Sequence, residues 1–301
     1  MNLRDSVTVI VPATTANLGP GFDCLGMALN IHNTVTIAKS HSFNITISGE
    51  GKEILSYGKD NLVHRAITKL FDKLGQPVPD LQINCDNKIP VARGLGSSTA
   101  AIVAGLVVAN SLSGNTMSEE ELLQLGIEME GHPDNLTPAL FGGCQVVVTD
   151  GTRLVHERVP VRRIWKFVLF IPDFEMPTVE ARAMLPRQIT REDVIYNLGR
   201  VALLTQALIT GQADSLKVAT QDRLHQPHRQ ALFSAMSDIF AAALSAGADG
   251  VFLSGSGSTV LALARGELDT IGKAMLAEGK RAGIKGKIKI AELSETGALI
   301  T

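Results

Sequence analysis

Two α+β domains meeting across a cleft are what this 301-residue chain predicts, and three observations predict it. Short apolar strands alternate with helical stretches along the whole length, with no repeat, low-complexity tract or long linker. The pattern restarts near Pro160, so residues 1–160 and 161–301 read as two units of ordinary domain size. Between a strand and a helix of the first unit lies a glycine- and hydroxyl-rich segment suited to a ligand in such a cleft: Pro90, Val91, Ala92, Arg93, Gly94, Leu95, Gly96, Ser97, Ser98, Thr99 and Ala100.

In the first unit, Val7, Val9 and Val11 alternate with polar or smaller neighbours as in a half-buried strand, and Pro12 ends it. A loop rich in turn formers follows over residues 12–23. Strands are expected at residues 34–38 and 43–48, the second with Phe43, Ile45 and Ile47 on one face. Residues 61–74 read as a helix, with Leu62, Ala66, Leu70 and Leu74 in one stripe and Gly75 as its stop. A strand over residues 81–86 leads into the glycine-rich segment, and a small-residue apolar helix, Ser97–Leu112, leaves it. Ser118 and Glu121 have the spacing of a capping box for a helix running to Glu130. His132-Pro133-Asp134-Asn135, a Gly142-Gly143 turn and a strand at residues 145–149 complete the unit.

The second unit opens with a strand at residues 166–171, after which Pro172 and Pro177 frame a loop. Helices are expected at 192–209, 213–223 and 229–246. Strands at 251–253 and 259–264 flank Ser254-Gly255-Ser256-Gly257-Ser258, and a last helix and a strand at 288–293 close the chain.

Composition excludes several classes. Hydrophobic content of 45% and charged content of 19% are globular values. A net charge of −2 and a pI near 6.4 supply no basic field for nucleic acid or an anionic membrane. The longest apolar run, residues 100–109, is too short to span a bilayer, and the polar start Met1-Asn2-Leu3-Arg4-Asp5 does not resemble a secretory signal. Cys24, Cys85 and Cys144 are odd in number and widely spaced, which suits reduced thiols in the cytoplasm.

The glycines of the 90–100 segment let backbone approach a ligand closely, and a helix N-terminus behind such a loop attracts anions through its free amides and macrodipole. Phosphate is the expected guest, although a glycine turn capped by Ser97 accounts for the same residues. The G-x-x-x-x-G-K-[ST] and G-x-G-x-x-G signatures are both absent. Phosphoryl transfer would need a divalent cation, for which Ser97 or Ser98 offers a hydroxyl and Glu128 or Glu130 a carboxylate. His132 to Asn135 concentrates groups able to orient a polar ligand, or forms a proline turn with a side-chain cap. No His-Glu-x-x-His is present, and nothing in the sequence brings His132 and Asp134 to His225 and His228, which sets metal hydrolysis aside. Ser254 to Thr259 reads as a bulge approached by another backbone or as a glycine hairpin. Arg182, Arg187, Arg223 and Arg229 flank the later helices and offer the donor forks that a carboxylate takes.

Three segments together resemble the GHMP kinases in order and spacing: residues 12–23, Gly94-Leu95-Gly96-Ser97-Ser98, and Ser254 to Thr259. The first of them, with Glu130 to Asn135 and Asp222 to Arg229, is similar to the branch of that family acting on L-homoserine. Thr14 stands where serine is commoner, and Ser256 and Ser258 where alanine and proline are. The resemblance implies a first domain like domain 2 of ribosomal protein S5 and a ferredoxin-like second domain. It further implies Mg²⁺- and ATP-dependent formation of O-phospho-L-homoserine on the route to threonine, in a cytoplasmic enzyme for which a homodimer is compatible.

By position it implies that Asn17, Asp23, Thr178, Arg182 and Arg223 hold the amino acid, with Asp23 on the ammonium and the two arginines on the carboxylate. His132 and Asn135 would orient the hydroxyl, and Ser97 and Glu130 would bind the metal. Where related kinases carry a catalytic aspartate this chain has Asn135; Asp134 is expected to point elsewhere, and no carboxylate is expected to be an essential base. The alternatives are a kinase of the same family acting on another small alcohol, and a non-catalytic S5-like binding module.

Overall fold

A computed structural model describes residues 6–151 and 153–301. In chain order the first part comprises β1 (Ser6–Ala16), β2 (Leu25–Lys39), β3 (Asn44–Gly49), α1 (Leu62–Lys73), β4 (Leu81–Asn87), α2 (Ser97–Leu112), α3 (Glu119–Glu130), α4 (Pro133–Phe141), β5 (Cys144–Asp150) and β6 (Arg153–Val159). The second comprises β7 (Lys166–Pro172), α5 (Thr178–Ala183), α6 (Arg191–Thr210), α7 (Leu216–Ala219), α8 (Gln226–Arg229), α9 (Met236–Ser245), β8 (Gly250–Leu253), β9 (Val260–Ala264), α10 (Leu268–Arg281), β10 (Gly286–Ala291) and β11 (Leu299–Ile300).

Two sheets organise these elements. The larger runs β11-β1-β2-β4-β3, with β5 also pairing β2 and β6 pairing β5. Among the described residues only β3 and β4 run parallel in it. The smaller sheet runs β10-β7-β9-β8 and is antiparallel throughout. Strand β7 is apolar on both faces. Phe167, Leu169 and Ile171 join the core shared with the larger sheet, α6 and α7, while Val168 and Phe170 face α9 and α10 in a second core. The two halves therefore meet through continuous apolar packing, which holds their loops in fixed relation.

Several elements differ from expectation. Strand β2 begins at Leu25, nine residues before the expected start at 34, because its first part pairs β5 through Leu25, Gly26 and Met27. Gly26 reads locally as a breaker, yet a Cβ there would lie 1.7 Å from the carbonyl oxygen of Asp134, so glycine is what lets α4 seat on the strand. The helix expected at 213–223 is reduced to α7, because the Asp222 carboxylate accepts the N–H groups of Leu224, His225 and Gln226 and opens a new turn. The helix expected from 229 starts at Met236 as α9. Elements α4, β6, α5, α8 and β11 have no counterpart in the expectation. The capping box is present, with Ser118 and Glu121 each bonding the other's backbone.

Candidate active site

A cleft of about 670 Å³ opens where the loop before α2, the loop after β1, α5 and the turn after β8 converge. At the phosphate end, Gly96 is the N-cap of α2 in a left-handed conformation (φ 68°), and no side chain caps the first turn. A Cβ on Gly96 would meet the Thr14 hydroxyl at 2.0 Å, so packing as well as φ demands glycine. The loop is braced from behind: the Thr14 amide donates to Leu95, the Ser254 hydroxyl to Gly94 and the Thr259 amide to Arg93, all at backbone carbonyls.

Within the 90–100 segment, Val91 to Gly94 and Gly96 to Thr99 line the cleft. Pro90, Leu95 and Ala100 do not; they are buried in the packing beneath, on the side of the loop facing the sheet. Arg93 borders the cleft, but its Nε donates to the carbonyl of Pro172 at 2.8 Å and its Nη2 to that of Asp173. It pins the loop to the end of β7.

Glu130, at the C-terminal end of α3, accepts from Ser98 Oγ at 3.0 Å and from Thr99 Oγ1 at 2.6 Å. Burial raises its pKa, and these two hydroxyls pull it back toward the ionised form. Glu128 is instead paired with Lys69 at 2.7 Å, away from the cleft. The donors here are one carboxylate and neighbouring hydroxyls, and no cluster of three or more His, Cys, Asp or Glu occurs among the described residues. Such a set fits a hard cation that shares its ligands with phosphate oxygens, as Mg²⁺ does.

At the other end lie the polar groups of an amino-acid site. Asn17 and Asp23 both have positive φ, and the Asn17 side chain bridges the Asp23 amide and the Gly255 carbonyl at 3.0 Å each. Arg182, from α5, forms two bonds to the Asp23 carboxylate, at 2.5 and 3.1 Å. Thr178 Oγ1 stands 3.3 Å from Ser256 Oγ. Asn135 Oδ1 accepts from Thr14 Oγ1 at 2.7 Å, which leaves its amide N–H groups for a ligand. Burial and the nearby Arg182 lower the pKa of His132, holding it neutral.

The structure departs from the sequence expectation at two positions. Arg223 does not line the cleft: its guanidinium lies 4.0 Å from the Tyr196 ring and 3.4 Å from Asp193. Arg229 lines it instead, 2% exposed, its position set by the turn that Asp222 nucleates. Asp134, expected to point away, also lines the cleft, and burial with the Asp23 charge pushes its pKa up to about 7. An apolar end built from Val35, Ile47, Leu55, Val63, Cys85 and Ile102 had no sequence signal, because it is gathered from six separate segments.

Residues 61–143 match the family described as GHMP kinases N terminal domain, and residues 204–281 that described as GHMP kinases C terminal. The homoserine kinase of Nostoc punctiforme is 43% identical over 301 residues, 99% of each chain. The chain belongs to the homoserine kinase family. The Synechocystis homoserine kinase is 44% identical over 303 residues, 98% of each chain. The crystal structure of homoserine kinase from Cytophaga hutchinsonii superposes with a TM-score of 0.87 at 30% identity, covering 100% of this chain and 99% of that one. Mevalonate kinase from L. major shares the fold, with a TM-score of 0.73 at 15% identity over 96% of each chain. As a GHMP kinase of this family the protein is an ATP-using phosphotransferase, built on the two-domain architecture described above.

Proposed function

We propose that this protein moves the γ-phosphoryl group of ATP to the side-chain hydroxyl of L-homoserine, giving O-phospho-L-homoserine for threonine synthesis. The observation that carries the reading is one cleft holding both an anion-binding helix mouth and a charge pattern matched to an amino acid. Asp23 supplies the negative partner for an ammonium, and Arg182 and Arg229 the positive partners for a carboxylate. The apolar end beside the phosphate loop suits a purine.

The free amides at the start of α2 receive phosphate oxygens, and Ser97, Ser98 and Glu130 are the residues that would hold Mg²⁺. A bound Mg²⁺ supplies neutralisation of phosphate charge. Asn135 and His132 orient the hydroxyl toward phosphorus, Asn135 by its free amide and His132 as a neutral ring. One O–P bond forms to that hydroxyl oxygen, the O–P bond to ADP breaks, and the proton leaves for a phosphate oxygen or water. The three cysteines are free thiols and no helix among the described residues is long and apolar enough to cross a membrane. That supports assigning the reaction to the cytoplasm.

ADP release measured with homoserine, mevalonate, shikimate and galactose in turn tests the proposal. Turnover on homoserine alone is expected. Turnover on another alcohol with homoserine untouched would overturn the substrate and leave the kinase fold standing.

A further inference from the structure

Arg229 is an awkward residue to aim. It is 2% exposed, and its Nε has no hydrogen-bond partner. Two hydrogen bonds orient the guanidinium, both through Nη1, one to the Gly255 carbonyl at 2.8 Å and one to His225 Nδ1 at 2.9 Å, and its Cζ lies 5.8 Å from the centre of the Phe22 ring. Among the described residues no group hydrogen-bonds Nη2, which leaves that edge for a ligand in the cleft. If the ring contact were lost, one carbonyl would be the only hydrogen-bond acceptor setting the direction of a flexible cation.

His225 is itself held on every side. Its other nitrogen, Nε2, stands 2.7 Å from the Gly19 carbonyl, which can only accept. Arg229 can only donate, so Nδ1 must carry the lone pair and Nε2 the proton. The Phe22 ring stacks on the imidazole at 5.3 Å between centroids. Asp222 takes the amides of Leu224, His225 and Gln226 and is fixed by Asn197, which also reaches the Pro20 carbonyl. Burial disfavours a cationic ring here, in line with the hydrogen-bond pattern.

We propose that His225 is a positioning residue for substrate recognition: its unprotonated Nδ1 aims Arg229 at the carboxylate of the amino-acid substrate, while its Nε2–H ties the aim to the loop carrying Asn17 and Asp23. The inference rests on the proposed role of Arg229 as a carboxylate partner. It assigns a second task to the turn after α7: the same Asp222 that ends the helix fixes the ring that directs the arginine.

The test separates the two ring nitrogens. Asparagine places its carbonyl oxygen near Nδ1 and can still accept from Arg229, whereas glutamine places its amide nitrogen near Nε2 and can still donate to Gly19. His225→Ala and His225→Gln are expected to raise KM for L-homoserine roughly tenfold, the effect of misplacing one charge-assisted contact. KM for ATP should stay within about twofold, and His225→Asn should stay near wild type on both. On 2-amino-1,4-butanediol, which lacks the carboxylate, all three variants should match wild type.

Retention of homoserine KM by His225→Gln with loss in His225→Asn would overturn the proposal in favour of a loop anchor. Equal losses for ATP and homoserine in all variants would overturn it in favour of a structural role. An unchanged homoserine KM in Arg229→Ala would overturn the carboxylate site itself. Should the alanine variant fail to fold, ¹⁵N NMR of the wild-type ring decides. A proton on Nε2 alone near neutral pH is expected, and a proton on Nδ1 would overturn the aim.

Discussion

Arg223 and Arg229 lie on either side of one turn and end in different surroundings, the first over Tyr196 and the second in the cleft. Arg182→Ala and Arg229→Ala are each expected to raise KM for homoserine by about 10- to 150-fold, the worth of a charge-assisted contact of roughly 1.5–3 kcal/mol. Arg223→Ala should change it less than about threefold, since the arginine is half-exposed and its partners are Asp193 and a tyrosine ring. Steady-state kinetics with each substrate varied in turn checks all three.

Asp134 carries a second prediction at this scale. Its carboxyl stays protonated in the fold up to about 7, a value that would suit a base at neutral pH, but phosphate charge bound nearby raises it above neutral and keeps it protonated during the reaction. Asp134→Asn should keep kcat within about tenfold, where loss of a general base would cost on the order of 10²–10⁴-fold. Between its ordinary value of 3.8 and about 7 the folded state binds the proton more tightly than the unfolded state. Stability from this group is therefore full at acid pH and lost as pH rises through that window. Relative to Asp134→Asn, the wild type should lose on the order of 2 kcal/mol between pH 5 and pH 8, read from urea midpoints.

At the level of elements, α2 and the loop before it behave as one piece with β1. Gly96→Ala is enough to strain φ and to push on the Thr14 hydroxyl, which itself donates to Asn135. We expect at least a tenfold rise in KM for ATP together with a fall in kcat, because one displacement reaches both the phosphate cradle and the hydroxyl-orienting amide. A fall in melting temperature without either kinetic change would reduce the segment to a turn. Ser118→Ala provides the contrast: it removes one half of the α3 capping box and should cost about 1 kcal/mol of stability with kinetics unchanged.

Across the molecule, the cleft depends on how the two sheets are joined. Arg93 fastens the phosphate loop to the carbonyls of Pro172 and Asp173, and Ser254 and Thr259 brace the same loop from the turn between β8 and β9. The chain end returns to the larger sheet, where Val9 and Ile10 pair with Ile300 and Leu299. Arg93→Ala should therefore raise KM for ATP while costing stability of roughly 2–3 kcal/mol, because its guanidinium is engaged by backbone carbonyls of the loop and of the end of β7 and the residue after it. Thermal unfolding beside ATP titration checks the pair of effects. A large kinetic effect with no loss of stability would mean that Arg93 turns to the nucleotide.

What the sequence determined by itself is local. Positive-φ glycines, the helix start at Ser97, the capping box at Ser118, the alternation in β1 and the continuous apolar run of β7 follow from neighbours a few residues apart. The phosphate end of the cleft was legible for the same reason, since one continuous segment builds it. The tertiary structure alone decided which arginine enters the cleft, that Asp134 lines it, that Glu130 and not Glu128 meets the Ser98 and Thr99 hydroxyls, and where the apolar end lies. In each case the partner is distant in the chain. Arg229 is aimed by Gly255, Asp134 is buried against β2 by the close approach that Gly26 permits, and Glu130 meets hydroxyls 31 and 32 residues before it. Side-chain direction at such positions is set by packing between elements, which periodicity and spacing do not encode.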